Sequence, residues 1–335
     1  MLRQALPADI LHLHWVAHFI GYSDFFRRLP PGMPIVWTLH DMNPFTGGCH
    51  HAGECCNFCE RCGNCPQLDK PSPDDFSRDV WRRKQQAYAR VRGGRFQVVT
   101  PSQWLANKAK NSSLMGSFRM TVIPYGLDTE SFRPLDKALA RQIMGIPLAS
   151  KVLLFVAQWL EDDFKGWPTL LRAVDRLRAI PDLCLLTIGH GSLGNTPVPN
   201  ISLGPVSDEE RLCLAYNAAD LLVLPSVQEN FPNAALEAIA CGLPIVGSRV
   251  GGVPEIVRDD YTGRLVEARD ADGLAGAIKK LLEAPNHLRD MAVRCRRIAV
   301  QEYALDIQAR RYADLYASLV QPQANSATGT RLWTL

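Results

Sequence analysis

The sequence predicts an α/β protein with two doubly wound domains, each built on a parallel sheet that helices cover on both faces. Three observations support this fold class. The 335 residues are enough for two domains with separate cores. Short apolar runs alternate with segments of helical periodicity almost from end to end. Because these runs are apolar throughout, the strands should be buried on both faces, which is typical of parallel sheets that bind ligands at their carboxyl edge.

Ten apolar runs are predicted to be strands, and they fall in both halves of the chain. Those in the first half are Ile10–Leu13, Ile35–Leu39, Phe96–Thr100 and Thr121–Ile123. Those in the second half are Val152–Val156, Leu183–Ile188, Ile201–Leu203, Leu221–Leu224, Ile245–Ser248 and Arg264–Val266. Since sheets commonly contain about five strands or more, the first domain is predicted to be shortened at its N-terminus.

The alternation restarts at Lys151, so the stretch Leu135–Ser150 is predicted to be a hinge or short linker. The predicted organisation is a first domain at 1–145, a second domain at 146–302, an amphipathic helix at 303–320 that crosses back to the first domain, and a frayed polar tail at 321–335.

The composition is that of a globular protein, with 47% hydrophobic and 21% charged residues. No apolar run reaches the ~18 residues needed to cross a bilayer, and the N-terminus lacks the layout of a signal peptide, so a cytoplasmic protein is predicted. Residues 1–145 carry a net charge of +6 and residues 146–335 a net charge of −3. The basic first half favours acidic partners, anionic lipid headgroups among them, and no nucleic-acid partner is predicted.

The strongest chemical signal lies between Pro225 and Val257, where Glu229 and Glu237 are separated by seven residues. Glu229 follows a predicted strand, and Pro232 suits the first turn of the helix that would carry Glu237. The amide groups at the start of this helix would favour a diphosphate in the same crevice. A capped surface helix with two solvated glutamates is the alternative that these residues leave open by themselves.

This segment resembles the E-x7-E region of the family-four retaining glycosyltransferases of GT-B architecture, and the resemblance covers most of residues 8–320. It implies two Rossmann-like domains that face each other across a cleft. It also implies sugar transfer with retention of configuration and without an obligatory metal. In the family, the residue matching Glu229 contacts the donor sugar and the one matching Glu237 holds the ribose hydroxyls. Asn230 and Phe231 would supply backbone contacts to the sugar.

Other motifs of the second half match the family in the expected order. Lys165 and Gly166 match the K-G pair, and the lysine would neutralise the leaving diphosphate; an exposed lysine at a helix start is the alternative. Gln158 stands where many members have an arginine, so one phosphate-binding cation is expected to be missing or supplied from elsewhere. Gly189 and Gly191 match the G-x-G turn near the nucleotide.

Two further matches frame the site. Gly251, Gly252 and Glu255 match the family's G-G-x-x-E turn, which supports the site from behind. In the first half, TLHDMNPFTGGCH resembles a subgroup associated with capsule and exopolysaccharide synthesis. His40 in this segment corresponds to a histidine near the transferred sugar, although a lone histidine at a strand end is often structural. The family's first strand and its Gly-rich loop have no counterpart before Leu11.

A cysteine-rich loop is predicted at residues 49–65, with two adjacent histidines. Its cysteines are Cys49, Cys55, Cys56, Cys59, Cys62 and Cys65. Their overlapping C-x-x-C steps suit a structural zinc ion, but disulfides, free buried thiols and an iron–sulfur cluster are alternatives that the spacing leaves open. A loop of this kind could shape the mouth of an acceptor site, and no cofactor is predicted to be required for catalysis.

The stretch Ser77–Phe96 reads as a basic helix. It would either pack on the sheet with a solvated basic face or make peripheral contact with the inner face of the membrane. As a whole, the sequence predicts a hexosyltransferase-like enzyme that moves a sugar from a nucleoside diphosphate sugar to a glycan or lipid-linked glycan. The rival hypotheses are a nucleotide-sugar-binding protein without transferase activity, because of the shortened first domain, and a metal-dependent interaction protein organised by the cysteines.

Overall fold

The computed structural model describes residues 8–91, 94–192 and 194–320. The tail predicted at 321–335 lies outside the described residues. The helices are α1 (Tyr22–Arg28), α2 (Phe76–Ala89), α3 (Gln103–Lys110), α4 (Lys137–Met144), α5 (Trp167–Leu177), α6 (Glu209–Ala218), α7 (Asn233–Ala240), α8 (Val253–Ile256), α9 (Ala271–Leu282), α10 (Pro285–Glu302) and α11 (Leu305–Val320).

The first sheet consists of parallel strands in the order β1-β2-β3-β4. Its strands are β1 (Leu11–Leu13), β2 (Ile35–Thr38), β3 (Phe96–Thr100) and β4 (Arg119–Val122). Successive strands are neighbours, so the chain winds in one direction across this sheet. The carboxyl ends of β1 and β2 meet at one edge, and this brings the residues after Leu13 close to those after Thr38.

The second sheet is also parallel, and its strands lie in the order β10-β9-β8-β5-β6-β7. They are β5 (Lys151–Trp159), β6 (Leu183–His190), β7 (Asn200–Ser202), β8 (Leu221–Leu224), β9 (Ile245–Ser248) and β10 (Gly263–Val266). The order reverses between β5 and β8, and ligands of doubly wound sheets bind in the crevice outside such a reversal. The α/β fold class and all ten predicted strands are confirmed.

Helix α2 accounts for the first part of the basic stretch predicted as a helix at residues 77–96, since it ends at Ala89 and β3 begins at Phe96. Trp81, Ala87 and Tyr88 are buried in the core of the first half, whereas Arg82 and Arg83 face solvent. The helix therefore packs on the sheet with a basic outer face. Within the described ranges, no helix is both long and apolar enough to cross a membrane.

Helix α11 crosses back to the first sheet, as predicted. Its Tyr312, Leu315, Tyr316 and Leu319 pack against Val36, Val99 and Ile123 on the face of the first sheet. Polar contacts fix this docking: the Tyr312 hydroxyl lies 2.7 Å from Thr38 Oγ1, and the Tyr316 hydroxyl 2.6 Å from His12 Nδ1. Residues 305–320 are thus held against strands β1 and β2 of the first sheet.

The region predicted as a linker, Leu135–Ser150, instead contains helix α4. Asp136 accepts the Leu139 amide at its start, and Gly145 ends it in the left-handed conformation, with φ +68°. Ala140 is buried in the core of the second half together with Phe132. The chain therefore leaves the first half before Phe132, earlier than the boundary expected at residue 145.

Candidate functional site

A cleft of about 690 Å³ opens where the strand order of the second sheet reverses. The ends of β5, β6 and β8 and the first turn of α7 line it, together with the loops that follow these strands. Five of the predicted site residues share this lining: Gln158, Lys165, Gly189, Glu229 and Glu237. Residues that are up to 79 positions apart in the chain are thus brought together at the carboxyl edge of the sheet, where doubly wound folds bind ligands.

Glu229 and Lys165 form an ion pair at the centre of this lining. Lys165 Nζ lies 2.6 Å from Glu229 Oε1, and the Ser226 hydroxyl donates to the same oxygen at 3.0 Å. Glu229 is only 8% exposed, so the pair is protected from bulk solvent on the carboxylate side. Ser226 belongs to the segment that carries the resemblance, but nothing in its spacing marked it as a partner of Glu229.

The glycine of the K-G pair explains how Lys165 reaches Glu229. Gly166 has φ +77°, and a Cβ there would lie 1.8 Å from the Pro225 carbonyl oxygen. The loop of Lys165 therefore approaches the loop of Glu229 more closely than any other residue type would allow. A hydrogen bond from the Val227 amide to the Phe164 carbonyl oxygen, 2.8 Å long, ties the two loops together.

The G-G turn supports the other side of the same loop. A Cβ at Gly251 would lie 1.5 Å from the Glu229 carbonyl oxygen, and one at Gly252 would lie 2.0 Å from the Asn230 carbonyl oxygen. The Gly252 amide also donates to the Glu229 carbonyl oxygen at 3.3 Å. The position of Glu229 is thus set by backbone packing from both directions.

Glu237 lies one turn into α7 and is half-buried in the lining of the cleft. The Tyr216 hydroxyl on α6 donates to Glu237 Oε2 at 2.5 Å. Burial raises the pKa of Glu237, and the Tyr216 hydrogen bond opposes that shift. Asn233 and Ala234, in the first turn of α7, line the cleft, so the positive end of the helix dipole faces it.

The two glycines of the G-x-G turn have different places. Gly189 lines the cleft with φ +149°, and a Cβ there would lie 2.0 Å from the Ala157 carbonyl oxygen. Gly191, with φ +103°, instead lies against the Glu161 side chain, outside the cleft lining. The first glycine therefore brings the end of β6 against β5, and the second shapes the turn beyond.

Asn230 and Phe231 use their side chains to join the halves of the molecule. Asn230 Nδ2 donates to the His40 carbonyl oxygen at 2.9 Å, and the Ser102 hydroxyl donates to Asn230 Oδ1 at 2.7 Å. Phe231 is buried and packs edge-on against Tyr125. Their backbone contacts to a donor sugar stay a prediction.

His40 follows β2, as expected, and both of its ring nitrogens are engaged. The Tyr125 hydroxyl lies 2.7 Å from Nδ1, and His14 Nδ1 lies 3.1 Å from Nε2. Burial lowers the pKa of His40, and so does His14, while Asp41 opposes them. His40 is therefore held as a neutral polar group. His14 was missed because only the pairing of β1 with β2 brings it beside His40, and Tyr125 was missed because it follows β4, two strands away from β2.

Glu255, expected to support the site from behind, instead reaches the first half. Its two carboxylate oxygens accept the Gln103 amide at 2.8 Å and the Trp104 amide at 2.9 Å. These amides belong to the first turn of α3 and lack partners within that helix. Glu255 thus caps a helix of the other half and closes the molecule behind the cleft.

The cysteine-rich loop lines a second cavity, which has a volume of about 400 Å³. Four of its thiols line that cavity, those of Cys49, Cys55, Cys62 and Cys65. All six predicted metal ligands are free cysteines, and among the described residues no group of three or more His, Cys, Asp or Glu side chains is placed to hold a metal ion. The structure therefore does not assemble the predicted zinc ligands, and the structural zinc stays a prediction.

The second half matches the family model described as "Glycosyl transferases group 1" over residues 150–284. A D-inositol 3-phosphate glycosyltransferase of Segniliparus rotundus is 36% identical over 187 residues, which cover 52% of this chain and 41% of that protein. The chain thus spans less than half the length of that relative. D-inositol 3-phosphate glycosyltransferase 2 of Catenulispora acidiphila is 33% identical over 339 residues, which cover 93% of this chain and 71% of that protein.

Solved structures show the same fold. Sucrose-phosphate synthase of Thermosynechococcus elongatus has a TM-score of 0.71 at 23% identity, covering 93% of this chain and 73% of that one. Anabaena HepE in complex with UDP has a TM-score of 0.65 at 18% identity, covering 85% and 72%. The capsule and exopolysaccharide subgroup receives no support from these relatives. On the extent of its match to the Catenulispora relative, the chain belongs to the group 1 glycosyltransferases.

Proposed function

We propose that the protein is a retaining, metal-independent enzyme that transfers a hexose from a nucleoside diphosphate sugar to a hydroxyl of a glycan or glycolipid. The observation that carries this proposal is the Lys165–Glu229 ion pair, which shares one cleft with Glu237 and the first turn of α7. A cation and a helix N-terminus suit a diphosphate, and a buried carboxylate suits the hydroxyls of a sugar.

A uridine diphosphate sugar is the donor that we assign first. The HepE structure contains UDP, and other structures of the same protein contain UDP with glucose, or UDP-glucose. Glu237 would accept hydrogen bonds from the ribose hydroxyls, as the resemblance implies. The Tyr216 hydrogen bond favours the charged carboxylate that this role requires.

The reaction requires one bond to form and one to break. The acceptor oxygen bonds to the anomeric carbon, and the bond from that carbon to the diphosphate oxygen breaks, with its electron pair leaving on the diphosphate. Among the described residues that line the cleft, Lys165 is the one lysine or arginine. Lys165 and the amides of α7 would stabilise the departing charge, while the departing diphosphate takes up the proton of the acceptor hydroxyl. Glu229 would orient the transferred sugar.

The proposal has two versions that differ in the acceptor, which is either D-inositol 3-phosphate or a glycan or glycolipid. The relatives described above act on D-inositol 3-phosphate, according to their names. A glycan or glycolipid acceptor is the version that we favour, because the described residues that line the cavity next to the cleft include no lysine or arginine to hold a phosphate.

Donor hydrolysis and binding across a panel of UDP-, GDP- and ADP-sugars would test the proposal, with Glu229→Gln as the variant. Turnover of one donor that falls about 100-fold or more in Glu229→Gln would support the enzyme and identify its donor. Tight binding without turnover, in the presence of glycan, glycolipid and D-inositol 3-phosphate acceptors, would favour the nucleotide-sugar-binding alternative. Failure to bind any of the donors would contradict the proposal.

A further inference from the structure

The cavity beneath the cysteine-rich loop, called here the loop cavity, has a volume of about 400 Å³. Loop residues between Gly47 and Leu68 form most of its wall, the start of α2 adds Phe76 and Ser77, and Phe164 closes it from the second half. Its volume falls in the range of small-molecule sites, which is about 300–1,000 Å³. Both halves of the molecule therefore contribute to the wall of one cavity.

The loop cavity lies next to the cleft that holds Lys165 and Glu229. Phe164 precedes Lys165 in the chain, and its ring stacks on His51 with the centroids 5.6 Å apart. The Gly53 amide donates to Gln228 Oε1 at 3.0 Å, which attaches the loop next to Glu229. A molecule in the cavity would thus have one end beside the place where the donor sugar lies.

The wall of the loop cavity is largely apolar, and its two imidazoles belong to His50 and His51. Among the described residues that line it, none is Lys, Arg, Asp or Glu, and the apolar side chains include Ala52, Phe58 and Leu68. A phosphate placed here would lose its hydration and meet no lysine or arginine, and the imidazole of His50 is already paired with Asp41 at 2.7 Å.

Polar side chains of the wall are turned to the backbone of the loop itself. Asn57 Nδ2 donates to the Gly63 carbonyl oxygen at 2.9 Å, and Gln67 Nε2 donates to the His51 carbonyl oxygen at 2.6 Å. Their donors are therefore used within the loop, and the surface left for a ligand is made largely of aromatic, aliphatic and thiol groups. This chemistry suits an aliphatic chain and disfavours a charged headgroup.

We propose that the loop cavity binds an aliphatic chain of the acceptor, attached close to the hydroxyl that receives the sugar. The inference rests on the proposed function and deepens it, because it assigns the acceptor to the glycolipids. Phe76 lies at the rim of the cavity with 65% of its surface exposed, where it would cover the chain as it enters.

Binding of alkyl β-glucosides to the full chain provides the test, with methyl, butyl and octyl chains used below the micelle-forming concentration. Calorimetry in the presence of UDP would measure affinity without requiring turnover. We expect affinity to rise with each added methylene, by up to about fourfold per group. Ala52→Trp, which fills the cavity, should abolish this dependence while leaving methyl glucoside binding unchanged.

Phe76→Asp is a second variant, because its exposed position keeps the fold intact even if Ala52→Trp does not fold. It should weaken octyl glucoside binding at least tenfold. Phe19→Ser is the matched control, since Phe19 is 85% exposed and does not line the cavity, and it should leave the dependence intact. Affinity that is independent of chain length, or a dependence that persists in both cavity variants, would overturn the inference.

The same samples separate this inference from the proposed function. UDP binding and donor hydrolysis are measured on each variant alongside the calorimetry. If donor turnover is intact and D-inositol 3-phosphate is accepted in preference to every alkyl glucoside, only the glycolipid assignment fails. If no donor is bound or turned over, the proposed function fails, and chain-length-dependent binding would then still identify a lipid-binding cavity.

Discussion

The lining of the cleft and the adjoining surface of the first half, called here the donor wall and the opposite wall, are built by different means. On the donor wall, Gly166 and Gly251 bring backbones into contact, and the Lys165–Glu229 pair is fixed between them. On the opposite wall, His40 is held by the side chains of His14 and Tyr125, and the cysteine-rich loop adds a largely apolar cavity. A wall fixed by backbone contact tolerates few residue types, so it leaves a clear sequence pattern. A wall fixed by side-chain contacts leaves a weak one.

Substitution of Lys165 is the most direct test of the role of the donor wall. We expect Lys165→Ala to lower donor turnover by about 100- to 1,000-fold, because the leaving diphosphate loses its cation and Glu229 loses its partner. Steady-state kinetics with the preferred donor would measure the effect. Lys280→Ala, on the exposed face of α9, should retain wild-type turnover. A Lys165→Ala enzyme as active as the Lys280→Ala control would contradict the role given to the donor wall.

Gly251→Ala tests whether backbone contact fixes that wall. Its Cβ would meet the Glu229 carbonyl oxygen, so we expect the free energy of unfolding to fall by about 3 kcal/mol and donor binding to be lost. Chemical denaturation would measure the first effect. Gly276→Ala is the matched control: it lies in α9 with open space around it, and should stabilise the protein by about 1 kcal/mol. Equal effects of the two changes would mean that the close approach is unimportant.

Tyr216→Phe removes one hydrogen bond from the donor wall and tests what the side chains there contribute to donor binding. Without the hydroxyl, the pKa of Glu237 should rise further, because burial is then less opposed. We expect UDP to bind about fivefold more weakly, and the loss of binding at low pH to begin at a higher pH. Calorimetric titrations at several pH values would show both effects. Tyr312→Phe, at the docking of α11, should leave them unchanged.

The smallest expected effect lies on the other wall, at His12. Burial lowers the pKa of His12 from 6.5 to about 4, and the neighbouring His14 and His40 add to this. Between these pH values the unfolded chain binds more protons than the folded one, so stability falls as the pH is lowered from 6.5 to 4. His12→Gln should show a smaller fall in Tm over this window. Because His12 is about half-buried, the difference should be modest, and parallel Tm curves would exclude this contribution.

The strands were predicted correctly because they depend on local patterns, and local patterns also marked the residues that the structure brings together in the cleft. Apolar runs marked all ten strands. Glycines at positions where a Cβ would clash with the backbone marked the loops around Glu229. Helix α4 was missed because its buried face is short and packs against α6, which begins more than 60 residues later in the chain. The reach of Glu255 to α3 and the engagement of His40 by Tyr125 depend on how the halves pack, which no local pattern records.

In the loop after β8, the adjacent residues Glu229 and Asn230 make different kinds of contact. Glu229 faces the donor cleft, and Asn230 holds the His40 carbonyl and the Ser102 hydroxyl of the first half. One peptide unit therefore separates ligand recognition from the contact between the halves. By thermodynamic reciprocity, a donor that binds more tightly when this contact is formed must strengthen the contact by the same factor. Occupancy of the cleft and the closure of the molecule then become a single coupled equilibrium.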